Sequence, residues 1–293
     1  MRLHRSLAAI ASLGAAAALA LAGCAGGSDA AASGSDAASG SDAASGGSAA
    51  GAVTLNVGAS PTPHAKILQF VQDNLAADAG LNLNIVEYSD YVQPNSALED
   101  GSLDANFFQT VPYLEQQEQE LGYDFTAGKG IHLEPLAIYS STVKDLADFP
   151  DGGTIGIISD TANQSRALAL LADNGFVKLP SDGTDANVNN VEKLKDFTFQ
   201  EVDGPQLVRS LQDVDIAVIN GNYAQEGGLS QATDALVVES PENNPAVNVL
   251  VWKSDISGEK KEAVAKLEEL LHSDQVKQYI EQTWTDGSVI PAF

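Results

Sequence analysis

The chain has 293 residues, of which 44% are aliphatic or aromatic, and it carries 40 acidic against 15 basic side chains for a formal charge of −25. That apolar content is ample for a packed core in one large domain or two lobes, and the charge argues against nucleic acid and anionic lipid headgroups as partners. A single cysteine excludes an intramolecular disulfide framework and any Cys-based zinc site.

Residues 1–23 have the form of a signal peptide: Arg2 and Arg5, an apolar stretch from Leu7 to Ala22, then small residues. A membrane-spanning helix needs about 20 apolar residues, and this run is shorter and rich in Ala and Gly. It ends in Leu21-Ala22-Gly23-Cys24, which resembles the lipobox of bacterial lipoproteins. The resemblance implies cleavage before Cys24 and lipidation of that cysteine, palmitate included. The chain is then expected on the extracytoplasmic face of the cell membrane, held by its lipid. Residues 24–51 form a low-complexity spacer that repeats Ser-Asp-Ala-Ala-Ser-Gly at Ser35–Gly40 and Ser41–Gly46. With no large apolar residue it cannot offset the entropy of ordering. As a Gly/Ser-type coil it spans on the order of 30 Å root-mean-square.

From Val53 onward, short β-rich runs alternate with helix-length segments. Val53–Gly58 reads as a strand, His64–Asp78 as an amphipathic helix, Leu83–Tyr88 as a strand and Pro94–Gly101 as a short helix with Pro94 in its first turn. Asp104–Phe108 is strand-like, Val111–Leu121 is helical until Gly122, and Ile131–Ser140 reads as one long extended segment. A second block follows. Thr154–Ser159 is an apolar strand, and Asp160 or Thr161 caps a helix that runs to Asn174 and stops at Gly175. Phe197–Val202 is a strand, Pro205–Gln212 a helix, Asp215–Asn220 a buried strand, and Leu236–Glu239 and Ala246–Lys253 are strands. Two helices, Glu259–His272 and Asp274–Trp284, close the chain.

The alternation argues for α/β layers. Two similar blocks followed by a strand and helices without a block of their own suggest two lobes with a shared hinge: residues 52–142 plus 245–293 in one, residues 143–244 in the other. A single doubly wound domain would give nearly the same trace.

The run from Tyr88 to Leu114 is more specific. It contains Asp90-Tyr91-Val92-Gln93-Pro94-Asn95-Ser96-Ala97-Leu98, then Asp104-Ala105-Asn106-Phe107-Phe108-Gln109, then Pro112-Tyr113-Leu114. These motifs resemble the methionine-binding lipoproteins of ABC importers, the NlpA family. Further matches follow in family order: Gly58-Ala59, Pro63-His64, Asn163 with Arg166, Pro205-Gln206-Leu207, Ala217-Val218-Ile219-Asn220 with Tyr223-Ala224, and Val247-Asn248. The resemblance implies an α/β, two-lobed, periplasmic-binding-protein-like fold of type II with an interlobe cleft. It also implies L-methionine or a close analogue as ligand, an ABC permease as partner, and a monomer without cofactor or metal. The family's carboxylate-binding Arg falls on Arg166, its polar contacts on Asn220, Asn248 and Asn163, and its aromatic wall on Tyr91, Phe108 and Tyr113. His64 matches a motif beside the first-strand loop. Two positions depart from the family pattern: Thr110 stands where many members have His, and Phe107 where a small residue is common. Both bear on the side-chain pocket.

Several of these residues make chemical sense without the family. Arg166 lies in the first turns of a helix just beyond a buried strand, where ligands of open α/β sheets and anions gather. A guanidinium grips a carboxylate through paired N–H donors; the competing reading is an ordinary salt bridge on the helix. Arg209 has Asp213 as an i,i+4 partner and reads as structural. Asn220 ends an apolar strand and Asn248 interrupts one, so each needs partners, either a zwitterion's two charged groups or a turn or hinge contact. Tyr91, Phe108 and Tyr113 suit a thioether slot at roughly 0.3–1.5 kcal/mol per sulfur contact, or simple core. For Phe107 core is the preferred reading. Burial of a methionine side chain contributes roughly 1.5–3 kcal/mol, whereas micromolar affinity needs about 8 kcal/mol. The charged head must therefore supply much of the rest.

No nucleophile–base or glycine-loop motif stands out, and His4, His64, His132 and His272 are far apart in sequence without a zinc pattern. No catalytic residue is expected. Alternatives to methionine are another apolar amino acid, a methionine-containing dipeptide, or a surface lipoprotein with an enzymatic or interaction role.

Overall fold

A computed structural model describes residues 51–293. The expected signal peptide, the lipidated Cys24 and all but the end of the spacer lie outside the described residues. The chain runs β1 (Val53–Ala59), α1 (His64–Asn74), β2 (Leu81–Glu87), α2 (Gln93–Glu99), β3 (Ala105–Thr110), α3 (Val111–Leu121) and β4 (Phe125–Leu133). It continues through β5 (Ala137–Tyr139), β6 (Gly153–Ile158), α4 (Thr161–Asp173), the short pair β7 (Val177–Lys178) and β8 (Glu192–Lys193), β9 (Phe197–Val202), α5 (Leu207–Ser210) and β10 (Ile216–Ile219). Then come α6 (Gly221–Glu226), α7 (Gln231–Asp234), β11 (Ala235–Val238), β12 (Val247–Lys253), α8 (Gly258–Leu271), α9 (Asp274–Thr283) and β13 (Ile290–Pro291).

The strands form two separate mixed sheets. The first has the order β13-β4-β12-β3-β1-β2 and the second β11-β5-β10-β6-β9. In each, a parallel set is completed by antiparallel strands: β1 runs parallel to β2 and β3 while β12 is antiparallel to β3, and β6 runs parallel to β9 and β10 while β5 is antiparallel to β10.

Side-chain alternation lets each sheet feed two cores. Under the first sheet, Leu55 and Val57 meet Ile67, Leu68 and Val71 of α1 and Val264, Leu267 and Leu271 of α8. The helical spacing of three and four puts those residues on one stripe. On the opposite face Leu98, Leu103 and Leu114 pack on Val249 and Val251. In the second sheet Ile155, Ile157, Ile216 and Val218 face Leu168 and Leu171 of α4, while Ala217 and Ile219 face Leu207, Leu211 and Tyr223. The result is two α/β lobes, each a sheet covered on both faces.

The chain crosses between sheets twice, at residues 134–136 and 239–246. The first crossing falls before the expected boundary at residues 142 and 143, because β5 is hydrogen-bonded into the second sheet. The expected single segment Ile131–Ser140 is thus two strands in two sheets. The break sits at Pro135, which has no N–H to offer a ladder. Two helices are shorter than expected: α1 ends at Asn74, and Pro205–Gln212 divides into a 3₁₀ turn and α5. Expected helix-end chemistry is present elsewhere. Asp160 caps α4 by accepting from Asn163 N at 2.9 Å, and Gly122 ends α3 with φ 76°, a conformation that needs no Cβ.

The lobes touch. Gln225 of α6 accepts at Oε1 from Trp284 Nε1 at 2.8 Å and from Thr62 Oγ1 at 3.2 Å. Gln116 of α3 accepts from Ala162 N at 2.9 Å, and the Tyr91 ring stacks on Tyr223 with centroids 4.7 Å apart. Among the described residues, no helix is long and apolar enough to cross a membrane.

Candidate functional site

The carboxyl ends of β1, β3, β6 and β10 point towards the gap between the lobes, and each is followed directly or through a short loop by a helix, α1, α3, α4 and α6. In open α/β sheets this is where ligands sit. A narrow cavity lies there, lined by polar and aromatic side chains from both lobes. All nine residues expected from the sequence line it: His64, Tyr91, Phe108, Thr110, Tyr113, Asn163, Arg166, Asn220 and Asn248.

One end of the cavity is aromatic. Tyr91, Phe108 and Tyr113 have ring centroids 5.7–6.0 Å apart, within the range of favourable edge and tilted contacts. Tyr91 OH donates to Asn222 Oδ1 at 2.5 Å and Tyr113 OH donates to Tyr91 O at 3.0 Å. Burial raises the pKa of both phenols, so they stay neutral. Thr110 is the N-cap of α3 and lines the cavity as a short side chain. Phe107, one of its two departures from the family pattern, is fully buried behind the wall. It meets His64 and His132 edge-on, with centroids 4.8 and 5.3 Å away.

Behind β3 a closed amide group holds the strand in place. Gln109 Nε2 donates to Asn95 Oδ1 at 2.7 Å and to Asn106 Oδ1 at 2.8 Å, and Asn95 Nδ2 donates back to Gln109 Oε1 at 3.0 Å. Buried amides that satisfy one another fix geometry. This gives the Asn95, Asn106 and Gln109 positions of the sequence motif a physical role.

The polar end is built around α4. Asn163 and Arg166, three residues apart, share a face. Asn220 Nδ2 donates to Asn163 Oδ1 at 2.8 Å, and Asn163 Nδ2 donates to Asp160 Oδ1 at 3.0 Å. Arg166 is 15% exposed and already paired: its partner is Glu239, 73 residues away at the end of β11, rather than a neighbour on its helix. Nε donates to Glu239 Oε1 at 2.9 Å, and Nη2 to Glu239 Oε2 at 2.5 Å and to Glu134 O at 2.8 Å. Among the described residues Arg209 forms no ion pair with Asp213, contrary to the sequence expectation.

Glu134, Asn222, Gln109 and Gly221 also line the cavity, and sequence reasoning missed all four. Glu134 is the most consequential. It is buried at the first crossing. His132 Nε2 lies 2.8 Å from its Oε1 and His64 Nε2 lies 3.3 Å away, while His64 Nε2 is 2.9 Å from Asn248 Oδ1. Burial pushes the Glu134 carboxyl up to about 7, against the pull of His64 and Arg166. It pushes His64 down to about 4 and His132 down to about 3. Distances alone would allow ion pairs, but loss of hydration favours two neutral imidazoles donating through Nε2–H. That leaves each Nδ1 as a buried acceptor without a partner. The signal available in sequence was a His-x-Glu pair inside an apolar run, where charge is rare unless paired. A Cβ on Gly221 would lie 2.8 Å from Glu134 Cβ, so the start of α6 approaches Glu134 only as glycine.

His64, His132 and Glu134 place three donor atoms within 4.8 Å of one another, a His₂Glu set of a composition that zinc accepts. Here each Nε2 meets an oxygen at hydrogen-bonding distance, and the set closes on itself.

A cavity between two α/β lobes joined by two crossings, with a cation at one end and aromatic rings at the other, defines the two-lobed class of periplasmic-binding-protein folds. The sequence model of the NlpA lipoprotein family matches residues 55–293. The methionine-binding lipoprotein MetQ of Bacillus subtilis is 38% identical over 250 residues, 83% of this chain and 89% of that protein. The D-methionine-binding lipoprotein MetQ of Escherichia coli is 35% identical over 240 residues, 80% of this chain and 87% of that protein. Among solved structures, a lipoprotein from Actinomyces odontolyticus is 69% identical with a TM-score of 0.80, over 82% of this chain and 99% of that one. A nutrient-binding protein from Burkholderia cenocepacia, bound to methionine, is 35% identical with a TM-score of 0.75, over 82% of this chain and all of that one. The chain belongs to the NlpA lipoprotein family.

Proposed function

We propose that this protein captures methionine between its lobes and delivers it to an ABC importer. In this reading it acts as a monomer on the extracytoplasmic face of the membrane, held through a lipid on Cys24 and working by binding and release without covalent chemistry. The observation that carries the reading is the cavity itself. It brings the Arg166 guanidinium and the Tyr91, Phe108 and Tyr113 rings to one crevice between the lobes. Arg166 receives the ligand's carboxylate, the amides of Asn163 and Asn220 complete it, Glu134 faces the ammonium, and the rings hold the thioether. The methionine-bound relative supports this choice of ligand. The lobes would close about the two crossings at residues 134–136 and 239–246.

A second reading has its own support. A larger open groove adjoins the cavity and shares Thr110, Asn163 and Arg166 with it, leaving room for a second residue of a methionine-containing dipeptide. Calorimetry with a panel of amino acids and dipeptides separates the two. One-to-one methionine binding by the wild type, lost in Arg166→Ala, is the expected result. Preference for a dipeptide would install the second reading, and unchanged methionine binding in Arg166→Ala would remove the carboxylate assignment.

A further inference from the structure

The guanidinium of Arg166 offers five N–H donors, and three of them have named protein partners. Glu239 takes the Nε–Nη2 edge through both carboxylate oxygens, and the Glu134 carbonyl takes the other Nη2 hydrogen. The donors left for the cavity are the two on Nη1. Glu239 does a second thing with the same carboxylate. Its Oε2 accepts from Leu136 N at 2.9 Å, and its backbone N donates to Leu136 O at 2.8 Å. Leu136 and Glu134 belong to the first crossing between sheets, and Glu239 begins the second. One side chain on α4 therefore holds both crossings while it lines the ligand cavity.

We infer that Glu239 is a positioning residue. It presents Nη1 of Arg166 to the ligand's carboxylate and couples occupancy of the cavity to the arrangement of the two crossings. The inference rests on the reading of the cavity as an amino-acid site. What the ion pair supplies is alignment. An arginine side chain has several rotatable bonds and loses their entropy on binding. A bidentate carboxylate that fixes it beforehand removes that loss from the binding step. Glu239 also neutralises Arg166, so the ligand's carboxylate meets a directed pair of donors more than a free positive charge. Because both Nη2 hydrogens are taken, no two-nitrogen edge of the guanidinium is free and Nη1 alone meets the ligand. Its second oxygen must turn to an amide, and Asn163 and Asn220 stand beside Arg166 in the lining. A merely structural ion pair would stabilise the fold without changing how Arg166 meets a ligand.

The test uses the full chain labelled with ¹⁵N-arginine. The chain has only four arginines, Arg2, Arg5, Arg166 and Arg209, so the side-chain Nε–H spectrum is sparse and Arg166→Lys assigns the signal. In the wild type the Arg166 Nε–H exchanges slowly with water and shifts on methionine addition. Glu239→Gln is expected to speed that exchange and to weaken methionine binding by about tenfold, the scale of a lost charge-assisted hydrogen bond. Glu239→Asp, which keeps the charge on a shorter stem, should fall between. It carries the same comparison if the Gln variant does not fold. Equal or tighter methionine binding in a folded Glu239 variant overturns the inference, as does an unchanged Arg166 signal. A wild-type chain that takes up no methionine at all defeats the underlying reading, and the coupling falls with it.

Discussion

Glu134 accepts from His132 at 2.8 Å and lies 3.3 Å from His64, with all three side chains out of water. The two imidazoles titrate near 4 and 3 in the folded chain and near 6.5 when unfolded. Between those values the unfolded chain binds more protons, so stability is lost as pH falls from about 6.5 through 4. Glu134 has the opposite sign: its folded value of about 7 lies above its ordinary 4.5, so its protonated form favours the fold as pH drops. Two histidines oppose one carboxyl, and the net expectation is a loss of stability in urea on going from pH 7 to pH 5. A flat profile over that window would contradict the neutral-imidazole assignment. His64 was legible in the sequence through its motif. His132 and Glu134 were not singled out, because what makes them a unit is the approach of α1 to the end of β4, a tertiary fact. Glu239 was hidden for the same reason: nothing in Val-Glu-Ser-Pro names a partner 73 residues earlier.

Helices whose ends carry local chemistry were read closely from the sequence. Asp160 before α4, Thr110 before α3 and Ser273 before α9 each accept from a backbone N–H of the first turn. Removing such a cap costs about 1 kcal/mol. Asp160→Ala and Ser273→Ala should therefore destabilise the fold by similar amounts, read in thermal or urea melts. Only Asp160→Ala should also weaken methionine binding, since it releases Asn163 from its place beside Asn220. Equal affinity in the two variants would separate the α4 cap from the site. Elements without such marks were missed. The first half of β4 contains Gly128, Lys129 and Gly130, which interrupt the apolar alternation. The six-residue α6 opens on glycine and carries no hydrophobic period.

At the scale of the whole molecule, two lobes were legible in the alternation of strands and helices, but the point at which the chain changes sheets was not. Residues 131–140 are apolar on both sides of Pro135, since β4 ends and β5 begins in equally buried surroundings. Pattern reports burial and does not say which core does the burying. The return of β12 between β3 and β4 likewise depends on pairing across more than a hundred residues.

The Gln225 amide, which receives the indole N–H of Trp284 from across the lobes, gives this chain an optical gauge of its own. Only two tryptophans are present, Trp252 and Trp284; both pack with the first lobe's core, and Trp284 alone of the two reaches across the lobes to Gln225. Parting of the lobes would strip Trp284 of its acceptor and open its N–H edge to water, moving emission to the red. Adding methionine should move it back, and Trp284→Phe should silence the change while Trp252→Phe preserves it. A response that follows Trp252 instead would place the motion elsewhere. Cargo loading could then be timed in unlabelled protein, one flash of ultraviolet at a time.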